Sequence, residues 1–120
     1  MPRLPADPSS FLPLAAPTFH ILAALVEEDR HGYAIMKFIE EESGGGVRVG
    51  PGTMYPALKR LMASGLIDET EERLTDEPGE RRRYYTLTPL GRAVAVAEAK
   101  RLQRAVRLAS SLKLIAPRLS

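Results

Sequence analysis

The distribution of proline and glycine divides this chain into short segments, and it limits where any helix or strand can run. Five of the ten prolines lie within the first seventeen residues. Because proline fixes φ and has no backbone N–H to donate, residues 1–17 are predicted to form a flexible, extended arm. Three consecutive glycines at 44–46 end one helical pattern, and Gly65 ends the next, as expected for a residue that tolerates the left-handed conformation after a helix.

Between these breaks, apolar residues recur at the spacings of helices and strands. Thr88 is a good N-cap and Pro89 follows it at the first helical position, which predicts a well-defined helix start. The predicted order is helix, helix, short strand, helix, hairpin and long helix. The segments are a helix opening at Thr18, a helix over 33–42, a short strand over 47–49, a helix from Pro51 or Thr53 to Ser64, strands over 66–73 and 81–87, and a helix from Pro89 to about Ile115.

Side chains suited to catalysis or metal binding are scarce. The 120 residues suit a single domain, and the lack of cysteine excludes disulfides, thiolate zinc sites and redox motifs. Two histidines leave little for a metal site or an imidazole base. The glycines at 44–46 lack the lysine and hydroxyl residue of a phosphate-binding loop. The chain is therefore predicted not to be an enzyme and to hold no cofactor or metal.

The longest apolar stretch, residues 11–26, is interrupted by Pro13, Pro17 and His20. It is shorter than the roughly 18–20 apolar residues that a bilayer span requires, and the proline-rich start does not suit a signal peptide. The chain is therefore predicted to be cytoplasmic, with no membrane partner.

The formal net charge of +2 conceals a strong segregation of charge along the sequence. Residues 1–46 carry three basic residues against seven acids, whereas residues 81–120 carry ten basic residues and a single acid, Glu98. Between them, residues 68–80 hold seven acids and only one base. Such asymmetry indicates a surface that faces a polyanion.

The third predicted helix has one apolar face and one face that is small near its start and cationic a turn later. Met54, Leu58, Leu61, Met62 and Gly65 are predicted to face the core, with Tyr55 on the border between the faces. If Thr53 is the N-cap, Pro56 falls at the third helical position, where its missing N–H has no intrahelical partner. The outward residues, which could enter a DNA major groove or simply face solvent, are Gly52, Thr53, Pro56, Lys59, Arg60 and Ala63.

Two further segments carry candidate functional residues. Arg81, Arg82 and Arg83 follow the hairpin turn, where they could contact DNA phosphates or pair with the hairpin's acids. The last helix has an apolar seam close to a heptad repeat, which favours homodimerisation. The alternatives are that this helix folds back on its own domain or meets a membrane or an acidic partner. The seam residues are Ala95, Ala99, Leu102, Val106, Ala109 and Leu112.

Four motifs in a fixed order resemble the PadR-type winged helix-turn-helix transcriptional regulators. The resemblance covers residues 18–115. The motifs are His31-Gly32-Tyr33, Gly50-Pro51-Gly52-Thr53-Met54-Tyr55-Pro56-Ala57-Leu58-Lys59-Arg60-Leu61, Gly65-Leu66-Ile67, and Arg83-Tyr84-Tyr85-Thr86-Leu87-Thr88-Pro89-Leu90-Gly91.

The resemblance implies a dimeric DNA-binding regulator, usually a repressor, whose recognition helix starts at Pro51 and whose wing lies around 74–82. It implies DNA contacts by Thr53, Tyr55, Lys59 and Arg60 and by the basic approach to Tyr84. It also implies a dimer interface formed by the last helix with the first, where Phe19 and Leu22 lie, and in some members a small-molecule effector. His31 and Tyr33 are interpreted as structural, with Tyr33 capping the core.

The sequence therefore predicts a mainly α (α+β) winged helix-turn-helix of three helices and a two-stranded wing, followed by a long C-terminal dimerisation helix. The predicted parts are the arm over 1–17, the DNA-binding domain over 18–88 and the dimerisation helix over 89–116. The predicted function is repression from pseudo-palindromic operator DNA as a homodimer, with relief by an effector. The alternative is a winged-helix interaction module that does not bind DNA, which the acidic hairpin favours.

Overall fold

The structure, a computed structural model, describes residues 6–74 and 81–116, in which four helices and three strands form one α+β body. A 3₁₀ helix at Pro8–Phe11 precedes the first α-helix. The elements are α1 (Ala16–Ala24), β1 (Arg30–His31), α2 (Gly32–Glu42), α3 (Pro51–Ala63), β2 (Ile67–Leu74), β3 (Arg81–Leu87) and α4 (Pro89–Ser111).

The sheet is antiparallel with the order β1-β3-β2, so it has one strand more than the predicted hairpin. The added strand is the pair Arg30–His31, which lies against Tyr84 and Tyr85 of β3. The predicted short strand at 47–49 is wrong, because that segment crosses from α2 to α3 without strand structure. The hairpin strands agree with prediction, and Ile67 pairs with Leu87 where they meet the core.

The helix-turn-helix pair, α2 and α3, is set by local signals at the helix ends. The His31 Nδ1 atom accepts a hydrogen bond from the Ala34 N–H at 3.2 Å and so caps α2. Gly44 and Gly45 have φ of +62° and +83°, a conformation that glycine adopts without strain, and they end α2 as predicted. The chain then turns into α3, whose N-cap is Gly50.

The core face of α3 is confirmed for Met54, Leu58 and Leu61, which are buried, and for Met62, which packs against the core. Gly65 is exposed and lies beyond the end of the helix, so its predicted place on the core face is wrong. The predicted position of Pro56 is wrong. With Gly50 as the N-cap, Pro56 lies inside the helix, so the carbonyl of Gly52 loses the i+4 donor that an ordinary residue would supply.

The N-terminal segment folds onto the body instead of extending from it. Phe11, Leu12 and Leu14 pack against the hydrophobic core, and the Leu14 N–H donates to Glu98 Oε2 of α4 at 2.9 Å. Helix α1 begins at Ala16, two residues before the predicted Thr18. The predicted extended arm is therefore wrong over residues 8–17, because the apolar residues between the prolines pack against the core.

Glu98 is the one charged residue buried in the described part of the chain, with 1% of its surface exposed. Arg101, one turn later on α4, donates to both carboxylate oxygens. The hydrogen bonds from Arg101 lower the pKa of Glu98, and the Leu14 N–H acts in the same direction against the effect of burial. The sequence showed Glu98 only as the lone acid of a basic segment.

The junction between α3, the hairpin and α4 is packed backbone to backbone. The Thr88 hydroxyl caps α4 by accepting from the Gly91 N–H at 3.0 Å and itself donates to the Gly65 carbonyl at 2.6 Å. The Thr88 N–H donates to the Leu66 carbonyl at 3.1 Å. A Cβ on Gly91 would lie 1.9 Å from that same Leu66 oxygen, so only glycine fits there.

Helix α4 has a buried first half and an exposed second half. Val94 and Ala95 are buried against the body, so the predicted boundary at residue 89 does not separate α4 from the core. For these turns, the alternative that the last helix folds back on its own domain holds. Beyond them Leu102, Val106 and Leu112 are exposed. The helix ends at Ser111 instead of near Ile115, because Lys113 adopts φ of +60° and the Leu114 N–H donates back to the Ala109 carbonyl.

We expect Gly91→Ala to lower the free energy of unfolding by about 3 kcal/mol or more, since the new methyl group collides with a backbone oxygen that cannot move alone. Urea unfolding at neutral pH measures this change. Gly52→Ala is the matched control, because a Cβ there meets open space, and it should stabilise the helix slightly. Equal stability of the Gly91→Ala variant and the parent protein would contradict the close packing.

We expect Glu98→Gln to destabilise the fold by about 2 kcal/mol near pH 7, because the amide loses the charged hydrogen bonds to Arg101. Since folding lowers the pKa of Glu98, the ionised carboxylate stabilises the fold above the unfolded pKa of about 4.3. This stabilisation is lost as the pH falls through the folded pKa. Urea unfolding from pH 7 to pH 3 should show that the free energies of unfolding of the parent protein and the variant converge below about pH 5. A constant difference down to pH 3 would contradict this assignment.

Candidate nucleic-acid interface

The predicted outward face of α3 lies on the protein surface. Its side chains leave the helix away from buried Met54, Leu58 and Leu61. The face is small near Gly52 and cationic one to two turns later at Lys59 and Arg60. All six α3 residues predicted to bind DNA are exposed: Gly52, Thr53, Tyr55, Pro56, Lys59 and Arg60.

This face has the shape and chemistry of a helix that enters a major groove. A Cβ on Gly52 would meet nothing within 4 Å, so the first turn leaves room for close approach to a duplex. Thr53 offers a hydroxyl, and Lys59 and Arg60 offer cationic donors of the kind that pair with phosphates or guanine edges.

Tyr55 joins α3 to the start of α2. Half of its surface is exposed, but its hydroxyl oxygen lies where a Cβ on Gly32 would come within 2.9 Å. Gly32 is buried, so its lack of a side chain creates the space that Tyr55 occupies. The ring of Tyr55 is thus held at the edge of the α3 face next to α2.

The arginines of β3 differ from one another. Arg83 forms an ion pair with Glu69 of β2 at 3.0 Å, so the predicted cross-strand alternative holds for this arginine. Arg82 places its guanidinium carbon 5.6 Å from the centre of the Tyr33 ring. The side chain of Arg81 and the predicted wing tip at 75–80 lie outside the described residues.

The interpretation of Tyr33 as a cap on the core is wrong, since 57% of its surface is exposed. Its ring stacks near the His31 ring, with centroids 6.5 Å apart, and His31 also meets Tyr84 edge to face at 5.3 Å. The sequence did contain a signal for this position, because Tyr33 does not share the helical face of Ile35 and Ile39, which are fully buried.

A cleft of about 240 Å³ lies where α2, α3 and β3 meet. One of its lining residues is Tyr85, whose pKa is raised by burial and by the nearby Glu69 carboxylate. The cleft is lined by His31, Gly32, Tyr33, Tyr55, Arg82, Arg83 and Tyr85. Of the arginines predicted to bind DNA, Arg82 and Arg83 therefore lie near α3, across the cleft from Tyr55.

The residues predicted for dimerisation divide into three groups. Leu22 is fully buried in the core of its own chain, so it has no surface for a partner and that assignment is corrected. Phe19, Ala95 and Ala99 line an apolar groove of about 210 Å³ between α1 and α4. Farther along α4, Ala109 is half-buried, and the large exposed residues are Leu102, Val106 and Leu112.

Two other features are absent from residues 6–74 and 81–116. Within these ranges, no cluster of histidine and acidic side chains is placed to hold a metal ion. None of the described helices is both long enough and apolar enough to cross a membrane.

Comparison with known proteins shows the family to which this chain belongs. Residues 21–97 match the Transcriptional regulator PadR-like family. The transcriptional regulator Rv3488 of Mycobacterium tuberculosis is 40% identical over 93 residues, which cover 78% of this chain and 81% of that protein.

Solved structures show the same fold. A PadR family transcription regulator from Clostridium difficile superimposes with a TM-score of 0.68 at 26% identity, over 82% of this chain and 98% of that one. Bacillus subtilis PadR in complex with operator DNA gives a TM-score of 0.60 at 25% identity, over 69% of this chain and 47% of that one. The predicted winged-helix fold is thereby confirmed, and the chain belongs to the PadR-like family of transcriptional regulators.

Proposed function

We propose that this regulator binds pseudo-palindromic operator DNA as a homodimer and represses transcription. The observation that carries the proposal is the exposed face of α3, which is small at its start and cationic at Lys59 and Arg60. The relative from Bacillus subtilis was solved in complex with operator DNA, which supports DNA as the partner of this chain.

Homodimerisation is the second part of the proposal. The second half of α4 leaves Val106 and Leu112 more than half exposed, and it continues from the apolar groove between α1 and α4. A copy of the same chain would cover both surfaces through a two-fold axis. Each subunit would then present one α3, and the two half-sites would lie about 34–36 Å apart or a multiple of that distance.

A small-molecule effector that relieves repression completes the proposal. The groove between α1 and α4 has mainly apolar walls and forms part of the proposed dimer surface. A ligand bound there would change how two subunits meet and so the spacing of the two α3 helices.

A protein-interaction module without DNA binding is the competing function. The observation that favours it is the acidic face of β2, where Asp68 and Glu69 are exposed and Glu69 already pairs with Arg83. DNA selection from a random pool separates the two functions, because only a DNA-binding dimer would enrich a palindromic consensus.

We expect Lys59→Ala and Arg60→Ala each to weaken binding to the selected operator by about 1–3 kcal/mol, because each removes a donor from the groove-facing helix. Fluorescence anisotropy with labelled duplex measures the affinity. Arg104→Ala removes the same charge from an exposed position on α4 and should bind operator like the parent protein. Unchanged affinity in both α3 variants would refute the recognition-helix assignment.

We expect Val106→Asp to convert the dimer to monomer, because a charge in the interface would have to be buried unpaired. Leu108→Asp is the matched control, since Leu108 is as exposed as Val106, at 60% against 53%, but lies on nearly the opposite side of α4. Sedimentation equilibrium measures the mass of each variant. A dimeric Val106→Asp protein, or a monomeric parent protein, would rule out this interface.

A further inference from the structure

We propose that residues 7–15 form a strap that opens without unfolding the rest of the domain and that, when closed, completes the surface on which a second copy of the chain packs. The occupant of this surface is the partner copy in the proposed homodimer, so the inference rests on that part of the proposed function. It adds a surface element outside α1 and α4, the two helices that the sequence predicts to form the interface.

The strap is held together by hydrogen bonds within itself. Asp7 caps the 3₁₀ helix at Pro8–Phe11, since its Oδ1 atom accepts from the Ser9 N–H at 3.0 Å. The Asp7 carbonyl accepts from the Ser10 hydroxyl at 2.6 Å, and the Leu12 N–H donates back to the Ser9 carbonyl at 3.1 Å. Because all of these partners are neighbours in the sequence, the strap can keep its shape when it leaves the body.

The strap lies on the outside of the body. None of the four residues of its 3₁₀ helix is buried, and the side chains of Phe11, Leu12 and Leu14 are only half-buried where they pack against the core. Along the described chain, the buried core residues begin at Ile21 in α1. Segments with few buried apolar contacts open at a lower free energy than the core, so the strap can detach while the core stays packed.

A charge-assisted hydrogen bond connects the strap to α4. The Leu14 N–H donates to Glu98 Oε2 at 2.9 Å, and Arg101 donates to both oxygens of the same carboxylate. When the strap opens, Glu98 and Arg101 can stay paired because both lie on α4, and the carboxylate then meets water. The strap can therefore open and close without leaving a buried charge unpaired.

The strap borders the exposed half of α4. Its 3₁₀ helix packs against α4, and Glu98, to which the strap is bonded, lies one turn before Leu102 on the same helix face. Leu102 is 38% exposed, whereas Val106 and Leu112 are 53% and 60% exposed, so the shielding of α4 decreases with distance from the strap. The half-buried apolar side chains of the strap therefore extend the apolar surface that begins at Leu102.

A second copy that covers the exposed half of α4 meets the strap at the edge of that surface. Opening the strap removes its apolar side chains from this edge and exposes the ion pair of Glu98 and Arg101 beside it, so the packing surface becomes smaller and more polar. The closed strap therefore favours association of two subunits. By linkage, association favours the closed strap to the same extent.

The test combines native-state hydrogen exchange with sedimentation equilibrium on the full chain. Below the dimer dissociation constant, the Leu14 amide should be protected but should exchange at least about tenfold faster than the amide of Ile39, which is fully buried in α2. Low urea concentrations should not change the Leu14 rate, because opening the strap exposes little surface. Above the dissociation constant, the Leu14 rate should fall by about tenfold. Exchange of Leu14 only together with Ile39 would overturn the separate opening of the strap.

Phe11→Asp should open the strap, because the closed position would place an unpaired carboxylate against the core. It should remove the protection of Leu14, leave that of Ile39 unchanged, and raise the dimer dissociation constant on the order of tenfold. Ser9→Asp is the matched control, since it adds the same charge at an exposed position of the strap and should change none of the three. A dimer of parental affinity in Phe11→Asp would overturn the role of the strap in association.

Glu98→Leu opens the strap by a different route, because the Leu14 N–H then has no acceptor in the closed position. Leu14 should exchange faster in this variant while Ile39 keeps its protection, and urea unfolding checks that the variant is folded. Unchanged protection of Leu14 would show that Glu98 does not hold the strap.

Failure of this inference differs from failure of the proposed function. If the parent protein is a dimer and Val106→Asp dissociates it while Phe11→Asp does not, only the part of the strap in the interface is refuted. If the parent protein is a monomer at every concentration, the proposed homodimer is refuted together with the role of the strap in it. The exchange rate of Leu14 then still decides whether the strap opens separately.

Discussion

The contact between the start of α4 and the end of α3 determines how the rest of the molecule is arranged. Gly91 lies so close to the Leu66 carbonyl that no side chain fits between them, and Thr88 bonds to both Gly65 and Leu66. Because these contacts are made to backbone atoms, they fix the direction in which α4 runs from the hairpin. The same short turn ends the helix that carries Lys59 and Arg60 and begins the hairpin. The face of α3 and the exposed half of α4 therefore belong to one rigid unit.

Elements whose signals are local could be predicted from the sequence. The capped start of α4 at Thr88, the end of α2 at Gly44 and the two hairpin strands depend on residues within one turn of each other, so propensity and capping rules identify them. The N-terminal segment could not be predicted in this way, because its position depends on a hydrogen bond from Leu14 to Glu98, 84 residues away. A two-residue strand such as β1 cannot be predicted from local sequence either, because only its pairing with β3 defines it as a strand.

The sequence identified the residues of the candidate site but not the contacts that they make with one another. The exposed residues of α3 follow from helical periodicity, which needs no tertiary information. The pairing of Arg83 with Glu69 and of Arg82 with Tyr33 depends on the sheet register and on how α2 packs against it. Three successive arginines look equivalent in a sequence, yet Arg83 pairs with a carboxylate whereas Arg82 contacts an aromatic ring. Among the hairpin acids, Glu69 pairs with Arg83.

The buried carboxylate of Glu98 links the two ends of the described chain near the surface proposed for dimerisation. Glu98 accepts from Leu14 and from Arg101, so the N-terminal segment and α4 are held together at one point. Arg101 marks the end of the buried half of α4, and the exposed apolar residues begin directly after it at Leu102. A buried ion pair contributes little net stability when compared with apolar packing. It still favours one geometry, because moving the partners apart would leave a buried charge unpaired. Glu98 thereby fixes the N-terminal segment against α4 at the turn where the exposed half of the helix begins.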